Sequence, residues 1–415
     1  MRHARNLRRT RENNLQVSSL CHLCSLCAAI QPPTDLSAAQ QGVPLACAKW
    51  KPVHTLYDMA HHPRSSLNPQ GLAPRLLPWF DRARRDLPWR QTRNPYRIWV
   101  AEIMLQQTQV ARVIPYYRRF LRAFPTPRAL AAAPLDDALR LWAGLGYYSR
   151  ARNIHAACGA LMQQHGGRFP TDYSNAIRLP GVGVYTAGAM LSIAFAQRFP
   201  AIDANARRVL RRVSCNRRNG SAPSRRRIET LGVAAVPEER PGDYNQALME
   251  LGAVVCLPRQ PLCAKCCLAD VCRLRRAGRQ VEAPATRRAI TGTGGVILGV
   301  VERRGRILIA QRGLDGIWGG LWELPNVEAS QRGNPQRALH RLLTTDFGIN
   351  VTVGQPIARL TYGIMKRRIG LAAYACTVVS GRTKLRRHTR ARWARARGTS
   401  TSMLSRLRTG DWLTY

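Results

Sequence analysis

The chain is 415 residues long, 45% apolar, and carries 65 Lys+Arg against 23 Asp+Glu, a formal charge of +42. That length is too great for one core and suits two domains with tails, and no apolar run is long enough to cross a membrane. Positive excess on this scale implies a polyanionic partner.

Residues 1–72 are rich in Arg, Ser and Pro, poor in acids and without sustained periodicity, which predicts a basic, disordered extension. Cys21, Cys24 and Cys27 have the spacing of a metal half-site, but no matching partner cluster follows. The Arg-rich, acid-poor character is also that of an organelle transit peptide. From residue 73, long apolar-periodic stretches punctuated by Pro and Gly read as helices.

Ile98–Leu105 is an apolar helical run whose single charge is Glu102. A carboxyl there must find a cation or keep a raised pKa, and the second state prepares a general acid for neutral pH. Gln106 and Gln107 follow with amides able to hydrogen-bond base edges. Leu145-Gly-Tyr-Tyr148 is a glycine-broken turn with aromatics, suited to core packing or to a wedge between stacked bases. Leu179-Pro-Gly-Val-Gly183 precedes a helical stretch, Tyr185–Ala196; Gly181 and Gly183 let the backbone turn sharply and aim N–H groups at an anion. Asp203 then stands between that apolar helix and a basic one carrying Arg207, Arg208, Arg211 and Arg212, where it also suits an N-cap.

Cys256, Cys263, Cys266 and Cys272 are separated by six, two and five residues. Four soft thiolates this close suit zinc or an iron–sulfur cluster far better than a hard cation or a disulfide pair. Arg259, Lys265, Arg273, Arg275 and Arg276 stud the same loop with positive charge. Residues 277–289 read as a linker. Beyond it, Gly295–Val301, Arg306–Gln311 and Ile369–Val379 read as strands and Pro335–Asp346 as a helix, so residues 290–385 form an α+β unit. Residues 386–415 read as a basic tail.

The segments LPWRQTRNPYRIWVAEIMLQQTQV, WAGLGYYSRARN, LPGVGVYTAGA, AIDANARRVLRR and YNQALMELGAVVC, followed by the four-cysteine loop, occur in this order. Together, over residues 75–275, they resemble the MutY family of adenine DNA glycosylases, in the helix–hairpin–helix superfamily that also contains endonuclease III. The resemblance implies an all-α glycosylase domain over residues 73–276, with Cys256, Cys263, Cys266 and Cys272 holding one [4Fe–4S] cluster. The implied substrate is adenine mispaired with 8-oxoguanine, or with guanine, in double-stranded DNA. Glu102 matches the family's acid and Asp203 its electrostatic partner, with Tyr185 and Asn205 as supporting polar groups. Arg85 and Arg90 match pocket arginines, and Gln106, Tyr147 and Gln246 match DNA-contacting positions.

Residues 290–385 resemble the Nudix-like recognition domain of the same family, through GGLWELPNVE and the helix ending Asp346-Phe-Gly348. Only Asp346 stands where a hydrolase needs clustered glutamates for magnesium, so no hydrolase activity is implied. Tyr362-Gly363-Ile364 replaces the Phe-Ser-His loop with which the family inspects 8-oxoguanine.

Lysine usage separates two enzyme types. Members that also cut the strand place a nucleophilic lysine two residues after the hairpin's last glycine. Here that position is Tyr185, and no lysine lies between Lys51 and Lys265. The expectation is a monofunctional, monomeric base excision enzyme with no membrane partner, cytoplasmic and nucleoid-associated if bacterial. The competing readings are an endonuclease III-like enzyme for oxidised pyrimidines and an inactive DNA-binding protein.

Overall fold

The computed structural model describes residues 68–215, 222–278, 292–316, 318–329, 333–364 and 367–395. The expected extension through residue 67, with Cys21, Cys24 and Cys27, most of the linker and the tail after 395 lie outside these residues.

The first part is helical: α1 (Ala73–Ala83), α2 (Pro95–Leu105), α3 (Val110–Ala123), α4 (Pro127–Ala132), α5 (Leu135–Trp142), α6 (Ser149–Gln164), α7 (Tyr173–Ala176), α8 (Val184–Ile193), α9 (Ala204–Val213), α10 (Arg225–Ala234), α11 (Pro241–Val254) and α12 (Arg273–Arg276). Sequence signals explain where they start. Asn94, Thr126, Asp172, Asp203 and Ser224 accept hydrogen bonds from the first-turn N–H groups of α2, α4, α7, α9 and α10. Pro95 and Pro127 occupy the first positions, where a missing N–H costs nothing.

Two apolar clusters hold the helices. One gathers α2–α8 around Trp99, Phe120 and Trp142; the other joins α1, α9, α10 and α11 around Phe80 and Tyr244. Leu72, placed in the extension from sequence, is 1% exposed and belongs to the second cluster. The short turn Pro69–Gly71, capped by Asn68, leads it into the core, so the helical part includes residues before 73.

The second part is a sheet of β1 (Gly292–Arg303), β2 (Arg306–Arg312), β3 (Trp322–Glu323), β4 (Asn326–Glu328), β5 (Ile349–Ile364), β6 (Arg367–Gly381) and β7 (His388–Arg395), with α13 (Pro335–Phe347) on one face. The order is β3-β2-β1-β6-β5, with β4 beside β1 and β7 beside β2; β1 and β6 run parallel and the other pairs antiparallel. Alternation decides the faces: Ile297 and Leu308 meet Leu339, Leu343 and Phe347 of α13, whereas Leu298, Ile307 and Ile309 face the other side with Trp322.

Two expectations change here. The sheet does not end at 385, because β7 pairs with β2 from Arg306↔Arg395 to Arg312↔His388. Its run of arginines reads as a tail, yet the exposed guanidiniums only decorate an edge strand whose backbone is paired. Also, Tyr362-Gly363-Ile364 ends the long strand β5, in register with Ile369, Arg368 and Arg367 of β6.

The placement of the site depends on one close helix crossing. A Cβ on Gly252 of α11 would stand 2.8 Å from the Asn205 carbonyl oxygen and 2.7 Å from its Cβ, in the first turn of α9. Gly252→Ala should therefore force α9 outward and lower thermal stability, by about 1–3 kcal/mol as for other overpacked sites. An unchanged unfolding midpoint in calorimetry would contradict this tight crossing.

Candidate active site

Eight residues of α2 are buried, so Glu102 enters the core with them and is 6% exposed. Tyr185, at the second position of α8, donates its hydroxyl to Glu102 Oε2 at 2.6 Å. Gly181, at φ +75°, makes the hairpin turn that allows this: a Cβ there would collide with Asn153, 2.6 Å from its Cβ. Asp203 caps α9, its Oδ1 accepting from the Ala206 N–H at 2.6 Å and its Oδ2 from Asn205 Nδ2 at 2.9 Å.

The electrostatics separate the two carboxyls. Burial pushes the Glu102 carboxyl up to about 7; the Tyr185 hydrogen bond and Arg90 oppose it, and Asp203 adds to it. Burial also raises Asp203, but its N–H partners and Arg208 work the other way. Glu102 is therefore poised to carry a proton near neutrality, while Asp203 is surrounded by donors that favour its charge.

Arg85 and Arg90 are not free pocket cations. Both bind Glu250 of α11, Arg85 through Nε and Nη2 at 2.6 and 2.8 Å and Arg90 through Nη2 at 2.9 Å. Burial of Glu250, 1% exposed, pushes its carboxyl up, but the arginines outweigh that and bring it to about 2. Sequence reading missed Glu250; the signal was an acid within the otherwise apolar ALMELGA stretch.

A groove of about 1730 Å³ brings these groups together: Glu102, Tyr185, Asp203 and Asn205 share it with Arg85, Arg90, Gln106, Gln107, Gly181, Gly183, Gln246 and Glu250. It continues past Arg207, Arg208, Arg211 and Arg212 to Arg259 of the cysteine loop. Tyr147 does not line it. It stands 38% exposed on its own turn at φ +49°, and Gln107 is likewise held at φ +56°. Such values are uncommon outside glycine and mark loops that are braced from elsewhere. The brace is Arg150, also missed from sequence. Its guanidinium donates to the carbonyls of Ile103, Met104 and Gln106 at the end of α2 and to that of Gly146 in the tyrosine turn, at 2.5–3.0 Å.

Cys256, Cys263, Cys266 and Cys272 ring one cavity whose other walls are mainly apolar, whereas Cys267 faces elsewhere. Burial pushes the Cys266 thiol up to about 11, and Cys256, Cys272 and Cys263 add to the shift, so the four thiols share one field. Among the described residues no three His, Cys, Asp or Glu side chains converge as ligands of a single ion; the four thiols surround a space instead. Soft donors around an apolar cavity, with Arg212 Nη1 3.3 Å from Cys256 Sγ, fit a sulfur-ligated centre. Asp346, the one acid of the expected Nudix ligand positions, is paired with Arg387 at 3.2 Å.

Comparison with known proteins agrees with this geometry. Residues 100–233 match the HhH-GPD superfamily of base excision DNA repair proteins, and residues 296–405 match the NUDIX domain. An adenine DNA glycosylase of Mycobacterium tuberculosis is 40% identical over 250 residues, covering 59% of this chain and 82% of that protein. The chain belongs to the adenine DNA glycosylase family. The human member is 38% identical over 311 residues, covering 61% of this chain, and the rat member 35% identical over 372 residues, covering 75%. The chain spans 56% of the human relative's length and 70% of the rat relative's. Within this family the fold is settled: a helical helix–hairpin–helix part with a DNA glycosylase architecture, followed by an α+β Nudix-like part.

Burial of Glu102 has a thermodynamic consequence. Its folded pKa, about 7, lies above the ordinary 4.5, so its contribution to stability is complete below pH 4.5 and is lost as pH rises through 7. Glu102→Gln keeps the shape without the charge. It should be close to neutral at pH 4.5 and stabilise the fold at pH 8.5 by up to about 3 kcal/mol. Urea denaturation at the two pH values measures this; equal effects at both would mean that Glu102 is ionised at little cost.

Proposed function

We propose that this protein hydrolyses the N-glycosidic bond of adenine mispaired with 8-oxoguanine, or with guanine, in duplex DNA, leaving the sugar–phosphate backbone intact. The observation that carries this reading is the pair of unlike carboxyls, Glu102 and Asp203, facing one positively charged groove. The glycosidic carbon is shielded inside the helix, so the adenosine must first be extruded into the cavity. Glu102 then gives its proton to adenine N7 as the bond breaks. Asp203, anchored by the first turn of α9, stabilises the oxocarbenium-like sugar, a division of labour shared with glycoside hydrolysis. Tyr185 holds the Glu102 carboxyl, and Asn205 holds Asp203. Adenine leaves, and water adds to the sugar carbon, its proton passing to the Glu102 carboxylate.

Absence of amines supports the monofunctional reading. Tyr185 occupies the place of the lyase lysine, and Lys265 does not line the groove. The runner-up, an endonuclease III-like enzyme, needs a Schiff base, which borohydride would trap. The four cysteines are read as ligands of one [4Fe–4S] cluster, which supplies no electron to a hydrolysis and acts as a structural centre at the basic end of the groove. The Nudix-like part is read as the inspector of the base opposite adenine. The protein is read as a monomer; among the described residues no helix is long and apolar enough to cross a membrane. Its place is read as the cytoplasm, with the chromosome.

Single-turnover adenine release from duplexes with A opposite 8-oxoguanine, G, C or T tests the substrate. Glu102→Gln should bind such duplexes while losing about a hundred- to ten-thousandfold in rate, the usual worth of general acid catalysis. In wild type the rate should fall as pH rises through about 7, where Glu102 loses its proton. A variant keeping half the wild-type rate would remove Glu102 from the mechanism.

Metal analysis tests the cluster. Purified protein should be brown and hold about four irons per chain. One zinc and no iron would replace the cluster by a zinc site.

A further inference from the structure

The sheet domain is seated on the helical domain by two polar latches around one buried leucine. Asp136, in the first turn of α5, receives Gln311 Nε2 on Oδ1 at 2.6 Å and Trp322 Nε1 on Oδ2 at 3.3 Å, with Arg390 Nη1 at 3.7 Å from Oδ2. Arg152, in the first turn of α6, donates to the Gly319 carbonyl at 2.7 Å and to the Gly316 carbonyl at 3.0 Å. Between these two latches Leu321 is 4% exposed and buried in the apolar cluster of the helical domain, not of the sheet. Gly320 lies so close that a Cβ there would stand 3.2 Å from Leu139 Cδ1.

The helix that receives this segment is the one that positions Tyr147. Arg150 and Arg152 are neighbours in the first turn of α6: the first braces the tyrosine turn and the end of the Glu102 helix, the second holds the sheet domain. We propose that Asp136 and Arg152 are positioning residues that couple the seating of the Nudix-like domain to the Tyr147 turn, and so help set the preference for the base opposite adenine. The inference rests on reading that domain as the inspector of the opposite base. A loosened seat leaves the proton-donating groove whole, because neither Asp136 nor Arg152 lines it.

Two readouts test this, one of them independent of catalysis. In hydrogen–deuterium exchange, Asp136→Ala and Arg152→Ala should each raise uptake at Gly319–Trp322 and also at Leu145–Tyr148, with Asp136→Asn smaller because one acceptor oxygen remains. Increased uptake at Gly319–Trp322 alone, or no increase, would overturn the coupling whether or not the protein is an adenine glycosylase. In single-turnover release, both alanine variants should narrow the ratio of rates opposite 8-oxoguanine and guanine by about fivefold or more, the lower range of ordinary coupling between sites. The rate opposite guanine should stay within about twofold of wild type. A preserved ratio, or parallel loss of both rates, would overturn the specificity role. A wild type that releases adenine without preferring either partner would refute the inspector reading instead, leaving exchange to judge the coupling.

Discussion

The structure is organised around a carboxyl that, among the described residues, forms no ion pair. Glu102 is buried with a tyrosine hydroxyl as its partner, in a protein with 65 basic residues. Arg90 is close enough to pull its pKa down. What limits that pull is Glu250, whose two oxygens occupy both Arg85 and Arg90. Without Glu250, two guanidiniums would face the cavity with no carboxylate of their own, and Glu102 would ionise more readily. The ion pairs beside Glu102 thus also favour its neutral form. Replacing one member of such a buried group leaves the others uncompensated, which is why the Arg–Glu–Arg set behaves as a unit.

Helix α9 transmits order from the cysteine loop to the second carboxyl. Asp203 caps its start; Arg208, further along, binds Asn205 Oδ1 at 2.9 Å, the Gly252 carbonyl at 2.6 Å and the Cys256 carbonyl at 2.8 Å. Arg212, one turn on, holds the carbonyls of Leu257 and Pro258 at 2.7 and 2.9 Å. A centre held by the four cysteines, as proposed, need not touch the groove to matter here. Whatever fixes the carbonyls of Cys256, Leu257 and Pro258 also restrains Arg208 and Arg212 of α9, the helix that Asp203 caps.

Much of this was legible in the chain, because the chemistry is written in local patterns. A lone acid in an apolar helix, two glycines before another helix, and an Asp at a helix start each have a local physical reason, and the structure brings Glu102, Gly181 and Asp203 to one groove. Long-range partners were hidden. Glu250 lies 165 residues from Arg85, and no spacing in the sequence joins them. Arg150 looked like one more arginine in an arginine-rich chain, since its carbonyl partners leave no trace in side-chain patterns. Strand β5 was missed because Gly354, Pro356 and Gly363 interrupt its apolar alternation, and the register shifts near Val353 and Pro356 absorb that irregularity. Leu321 reads as a sheet residue until the domain contact reveals which core it enters.

The preference for arginine over lysine has a chemical logic at this site. The proposed base removal leaves a sugar whose open form is an aldehyde, and any nearby amine condenses with it to a Schiff base. An arginine guanidinium supplies positive charge and paired donors for phosphate but stays protonated and does not add to the aldehyde. Arg207, Arg208, Arg211, Arg212, Arg225 and Arg259 line the groove, and among the described residues no lysine does. On the proposed reading, attraction for the backbone is thereby separated from attack on the product. The hydroxyl of Tyr185 completes that separation, since burial and the neighbouring carboxyls Glu102 and Asp203 raise its pKa well above the ordinary phenol range. It stays protonated at neutral pH, and its proton is directed at Glu102 rather than at the sugar.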